Sequence, residues 1–282
     1  MLGGPLNDAT ATESGRGVPE VLVLPSAGDA SRLAAARIAA ALSTAVEARG
    51  AAHWVTTGGS TPGGIYAHLA DLPYRESVPW DRVHLWWGDD RWVPPKNILS
   101  NALACWNVLL QDVPVPLDQV HVMPIGDALA AGEGPATVAE RYAAELHGAG
   151  LDLDAAGFPT FDVVLLGIGS DGHLFSIFPD SATWDDPRWV QAVPAPAHIA
   201  PHVERISMHP LIVTAARMPI VVVYGGAKAP ILGEIFASNL DERCLPALLA
   251  IRTGALWVLD EAAAARLPVS VATTRPGVRH QP

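Results

Sequence analysis

The sequence predicts an α/β fold built on one mostly parallel sheet with helices on both faces, and three observations carry that prediction. Short β-branched runs alternate with Ala-rich amphipathic stretches, the order expected of successive β-α-β units. Half of the 282 residues are hydrophobic and only 17% are charged, enough apolar material to cover both faces of such a sheet. The 25 Pro and 25 Gly are spread along the chain rather than gathered into a linker, and no internal repeat is visible, so residues 19–270 are expected to form a single domain.

Taken in order, residues 1–18 are rich in Gly, Asp, Thr and Ser, and read as a disordered head; they have neither the basic start nor the apolar stretch of a secretory signal. Strands are expected at 20–24, 53–57, 82–87, 161–166, 220–224 and 255–259, where β-branched and aromatic residues cluster. Apolar spacing predicts helices at 31–45, 63–70, 100–110, 136–147 and 229–237. Across residues 180–210, Pro187, Pro194, Pro196, Pro201 and Pro210 break every candidate helix, and an irregular loop or small subdomain is expected there. Residues 271–282 read as a C-terminal tail.

The formal net charge of -11 argues against a nucleic-acid partner, because that affinity comes largely from Lys and Arg neutralising phosphates. If the ligand is itself anionic, a few of the 18 basic residues must be concentrated at one site. Cys105 and Cys244 are too few for a disulfide framework and lack zinc spacing, so both read as reduced core thiols. No run reaches the ~20 apolar residues of a membrane helix, and a cytoplasmic location away from membranes is expected. Nothing in the sequence chooses between monomer and homodimer.

In an open parallel sheet ligands bind beyond the carboxyl ends of the strands, so the residues that follow strands are the informative ones. The first such place is Thr57-Gly58-Gly59-Ser60-Thr61-Pro62, where glycines allow close backbone approach and the coming helix end offers N–H groups to an anion. The same residues also suit an ordinary turn with Ser60 or Thr61 as helix N-cap and Pro62 at the first position. The second is Gly88-Asp89-Asp90-Arg91-Trp92-Val93-Pro94, followed by Ser100-Asn101 opening a helix. There Arg91 offers a planar fork for phosphate or carboxylate with Asp89 or Asp90 to hold it, unless it is simply a surface ion pair.

The third place is Gly167-Ile168-Gly169-Ser170-Asp171-Gly172-His173, continuing to Pro179. Its glycines spell G-x-G-x-x-G, but Pro179 stops any helix after about two turns and no strand follows before Asp185, so this is not a dinucleotide fingerprint. It reads instead as a tight loop that delivers Asp171 and His173 to the top of the sheet, with His173 at a short helix's N-terminus. That positive end would keep the imidazole neutral, as a general base must be, and Asp171 could fix its tautomer. A loop histidine with an unrelated Asp is the alternative. The fourth place is Gly225-Gly226-Ala227-Lys228-Ala229, where a lysine opposes the dipole of the helix it starts unless an anion lies between them or solvent screens it. His198 and His202 have i, i+4 metal spacing, but Pro201 between them breaks the helix that pairing needs, and no metal is expected. His53, His84 and His121, in or beside apolar runs, read as satisfied structural residues.

These four stretches, in this order and over most of the chain from about Val21 to Leu267, resemble the motifs of the 6-phosphogluconolactonase family. The resemblance implies a Rossmann-like three-layer fold and cofactor-free hydrolysis of 6-phospho-D-glucono-1,5-lactone to 6-phosphogluconate, the second step of the pentose phosphate pathway. It further implies His173 as the base that activates water with Asp171 in support, and Arg91 and Lys228 as a phosphate clamp helped by the Gly58-Gly59-Ser60 backbone. Ser100, Asn101 and Gly169 complete the expected substrate contacts. The chain departs from the family's usual text at three places: Asp90 for Glu, Thr214 for Asn, and Leu174-Phe175 for a small pair. The glucosamine-6-phosphate deaminase and isomerase family has a similar Asp-Gly-His loop, but usually follows it with an Ala-Phe-Asn-Glu-Pro-like stretch where this chain has Phe175-Ser176-Ile177-Phe178-Pro179. A non-catalytic sugar-phosphate sensor of the same fold would carry a DNA-binding segment, and the acidic-to-neutral head cannot supply one.

Overall fold

The computed structural model describes residues 17–59 and 61–276. Ser60, the expected head up to residue 16 and the tail from residue 277 lie outside the described residues. Eleven strands are formed among the described residues: β1 (Glu20–Leu24), β2 (Ala52–Thr56), β3 (Val83–Trp87), β4 (Asp89–Arg91), β5 (Val120–His121), β6 (Val163–Leu166), β7 (Val190–Val193), β8 (Arg205–Met208), β9 (Pro219–Val223), β10 (Leu256–Asp260) and β11 (Thr273–Thr274). Eight make one sheet in the order β11-β1-β10-β9-β6-β2-β3-β5, with every neighbouring pair parallel. The six strands expected from sequence are among them, with boundaries within two residues.

Successive side chains of a strand point to opposite faces, so each buried strand feeds two cores. Leu22 and Leu24 of β1 pack with Ala34, Ile38 and Leu42 of the helix Ala27–Arg49, while Val21 and Val23 share the other core with Val138 and Tyr142 of the helix Pro135–Gly148. The result is the three-layer α/β architecture. The long helix starts where Ser26 accepts a hydrogen bond from the Asp29 amide, and it stops at Gly50, whose φ of 80° only glycine adopts readily. The helix expected at 100–110 is split: Asn101–Cys105 is α-helical and passes into a π-helical turn over Trp106–Leu110.

Residues 180–210 carry β7 and β8, which join β4 in a separate antiparallel sheet of order β4-β8-β7. In that sheet Arg91 lies directly opposite Arg205. The segment set aside as a tail contributes β11 to the edge of the main sheet against β1. Cys105 is buried, but Cys244 is exposed and is not the core thiol expected. No helix among the described residues is long and apolar enough to cross a membrane.

The topology fixes where a ligand can bind. From β2 the chain runs outward to β3, whereas from β6 it runs the opposite way to β9, yet β2 and β6 are neighbours. Loops leaving their carboxyl ends therefore diverge and open a crevice between them.

Candidate active site

A cleft of about 350 Å³ occupies that crevice. Its walls come from the turn after β2 (Thr57, Gly58, Gly59, Thr61), from Asp89, Arg91 and Asn101 beyond β3, from the loop after β6 (Gly167 to Ser170, with His173 and Phe175), and from Lys228 after β9. Of the residues expected at the site, Gly58, Gly59, Arg91, Asn101, Gly169, His173 and Lys228 line one cavity. Asp171 stands behind His173.

The loop after β6 sets the histidine. His173 Nδ1 lies 2.5 Å from Asp171 Oδ1, and the His173 amide also donates to that oxygen at 3.3 Å. An ionised carboxylate only accepts, so in the neutral ring the proton sits on Nδ1 and the lone pair on Nε2. Nε2 has no hydrogen-bond partner among the described residues. Burial pushes the Asp171 carboxyl up, but hydrogen bonds and charge from His173, with a further hydrogen bond from His198, outweigh it and hold the group well below the usual carboxylate range. Gly169 is required for this approach, because a Cβ there would fall 2.0 Å from His173 Nδ1 and 2.6 Å from Asp171 Oδ1.

No helix begins at His173. Leu174 and Ile177 close a tight turn instead, and Phe175 takes φ 50°, a left-handed conformation that a right-handed helix cannot contain. The helix-dipole argument for a neutral imidazole therefore does not apply, and Asp171 is the group that orients the ring.

The cations are placed by different elements. Arg91 Nη1 donates to the Leu99 carbonyl at 2.9 Å, and no carboxylate among the described residues lies within ion-pairing distance of its guanidinium. Neither Asp89 nor Asp90 holds it, contrary to expectation. Asp89 instead accepts from Asn101 Nδ2 at 3.0 Å and from Ser176 Oγ at 2.5 Å. Asp90 accepts from the Arg91 and Asn101 amides, each at 2.8 Å, and from Ser100 Oγ at 3.2 Å, which makes it a cap for the helix Asn101–Cys105. Burial raises its pKa to about 6 against those hydrogen bonds. Ser100 is buried beneath that cap and does not line the cleft, so its expected substrate contact is replaced by a structural one. Asn101 reaches the cleft under Gly58, where a Cβ would fall 1.7 Å from Asn101 Oδ1. Lys228 Nζ donates to the Ile168 carbonyl at 2.6 Å; burial lowers its pKa, and the charge of Asp171 opposes that.

Sequence reasoning missed three neighbours of this site. Arg205, 2% exposed, stacks its guanidinium over Phe178 at 5.2 Å. Phe178 in turn packs against His173, ring centroids 4.8 Å apart. His198 Nε2 lies 2.7 Å from the second oxygen of Asp171, whereas His202 turns away to the Pro196 carbonyl, so the two do not converge. No local signal points to Arg205, whose pairing with Arg91 joins distant strands, and the i, i+4 spacing of His198 with His202 pointed to a metal rather than to Asp171. Of the family departures, Phe175 lines the cleft, while Thr214 is exposed and bonds only to Leu211 within its own helical turn.

A family model described as glucosamine-6-phosphate isomerases/6-phosphogluconolactonase matches residues 25–258. The 6-phosphogluconolactonase of Streptomyces coelicolor is 35% identical over 242 residues, which span 84% of this chain and 90% of that protein. That of a Nostoc species is 34% identical over 231 residues, 81% of this chain and 90% of its own. The solved structure of 6-phosphogluconolactonase from Trypanosoma brucei matches with a TM-score of 0.76 at 28% identity, over 89% of this chain and 99% of that one.

Proposed function

Because the chain belongs to the family of glucosamine-6-phosphate isomerases and 6-phosphogluconolactonases, we propose that it hydrolyses 6-phospho-D-glucono-1,5-lactone to 6-phosphogluconate with His173 as general base. The observation that carries this reading is the convergence of an Asp-oriented imidazole and two cations, Arg91 and Lys228, on one cleft in a chain of net charge -11. Arg91 and Lys228 hold the phosphate, with the Gly58–Gly59 backbone ahead of the helix Pro62–Ala70 adding N–H donors. Anchored at that end, the lactone presents its carbonyl to a water on the Nε2 side of His173. The imidazole takes the proton as water attacks; the ring oxygen leaves when the tetrahedral intermediate collapses, and a proton reaches it. The reading places the enzyme in the cytoplasm.

The test supplies purified protein with the phosphogluconolactone and, separately, with glucosamine 6-phosphate. Acid release above the spontaneous background from the first, without ammonia from the second, is the expected result. Ammonia release alone would overturn it. Arg91→Ala is expected to raise KM about tenfold or more with a smaller effect on kcat, and an unaltered KM would remove Arg91 from the clamp.

A further inference from the structure

Each oxygen of the Asp171 carboxylate faces an imidazole. Oδ1 is 2.5 Å from His173 Nδ1, and Oδ2 is 2.7 Å from His198 Nε2. The second contact is not an isolated surface pair. The His198 ring stands edge-on to Phe178 at 5.6 Å, the same ring that packs against His173, and the two residues that follow, Ile199 and Ala200, line the cleft. His198 arrives from the connection between β7 and β8, and so ties the small antiparallel sheet to the loop after β6.

A lone carboxylate can rotate about its Cβ–Cγ bond, and only one setting points Oδ1 at Nδ1 of the base. A donor on Oδ2 fixes that rotation. It also draws electron density from the carboxylate, so that Asp171 stabilises the imidazolium form of His173 less strongly. The other charges facing Asp171 are Lys228, at the helix start after β9, and Arg205 on β8, itself flanked by Asp89 and Arg91 of β4. Replacing His198 removes none of these charges, so a change on replacing it reports on its own contacts with Asp171 and Phe178.

We propose that His198 is a positioning residue of the His173–Asp171 pair, acting through Asp171 Oδ2 to orient the base and to restrain its basicity. The kinetic part of this proposal rests on the lactonase reading; the titration part does not.

The experiment compares the full-length wild type with His198→Ala and His198→Gln. Gln places an amide donor near the position of Nε2 but does not titrate. Two quantities are read: lactone hydrolysis as a function of pH, and the titration of the His173 ring by NMR. Half-exposed, the contact is screened by solvent, so His198→Ala is expected to lower kcat about three- to tenfold with KM within about twofold. The His173 ring should titrate at higher pH, the acid limb of kcat should follow it, and Gln should return both toward wild type. An unmoved His173 titration in His198→Ala overturns the proposal whatever the rate does. So does a loss that appears in KM alone and that Gln fails to rescue, which would leave His198 holding only the Ile199–Ala200 wall. If the wild type does not hydrolyse the lactone, the functional reading fails, and the NMR titration alone decides the role of His198.

Discussion

Two histidine–carboxylate pairs of the same length lie among the described residues, and the proposed mechanism uses only one of them. His173 Nδ1 lies 2.5 Å from Asp171, and His121 Nδ1 lies 2.5 Å from Glu145. They differ at the opposite nitrogen. His121 Nε2 meets His84 Nδ1 at 3.0 Å, and its ring is stacked on Trp86 with centroids 3.7 Å apart, so no lone pair faces a cavity. His84 stacks in turn on His53, which takes the Trp86 indole N–H at 3.2 Å, and the three rings form a ladder across β2, β3 and β5. At His173 the nitrogen opens into a cleft with Arg91 and Lys228 on its walls. A nearby carboxylate does not make a histidine a base; an unclaimed Nε2 beside a place for the substrate does.

Deleting each ring in turn separates the two pairs. His173→Ala is expected to lower kcat about 10²- to 10⁴-fold with little change in KM. His121→Ala should leave kcat within about twofold and lower unfolding stability by about 1–2 kcal/mol through lost stacking on Trp86. Equal losses of turnover in the two variants would erase the distinction. Gly169→Ala probes the same pair without touching either side chain. The methyl would collide with both His173 and Asp171, and displacing a base by about 1 Å costs on the order of 10² in rate. Retention of the wild-type melting temperature would show that the loss is one of geometry.

The ladder should show itself in stability rather than in turnover. Burial, then repulsion from His84, His121 and Arg49, lowers the pKa of His53 from its ordinary 6.5 to about 4. The unfolded chain thus binds a proton near pH 6.5 that the native fold refuses until about pH 4. Stability is fully present above pH 6.5 and is lost as pH falls toward 4, by at most about 3 kcal/mol from this residue. Burial depresses His209 to about 4 as well, with the same sign. Urea unfolding at pH 7 and pH 4.5 checks the total. His53→Gln, which still offers the Trp86 indole an acceptor, should shrink the difference, and an unchanged difference would assign it all to His209 and other groups.

How the sequence announced these regions follows from range. The six long parallel strands were legible because strands buried on both faces read as continuous apolar runs, as in Val163-Val164-Leu165-Leu166. Strand β4 was not, since Asp89-Asp90-Arg91 has no strand-like composition and is extended only because β8 pairs with it, Arg91 against Arg205, from more than a hundred residues away, a contact no local window contains. The glycine loop gave Asp171 and His173 because they are two residues apart. His198 stayed hidden because its partner is 27 residues distant and the prolines around it read only as irregular chain. The short helix expected after Gly172 failed for a local reason that apolar spacing does not encode, the left-handed backbone at Phe175 and again at Asp180.

The smallest effect belongs to a position where the chain departs from its family. Thr214 stands where Asn is usual, and resemblance alone gave it a bearing on substrate. In the fold its hydroxyl donates to the Leu211 carbonyl at 2.7 Å on an exposed turn, and it is absent from the cleft wall. Thr214→Asn should therefore change kcat/KM by less than about twofold and stability by about 0.5 kcal/mol or less, as for ordinary surface substitutions. A larger gain in kcat/KM would mean that the helical turn Leu211–Ala215 reaches the substrate in a closed form of the enzyme, and that the cleft extends beyond its wall at Phe175.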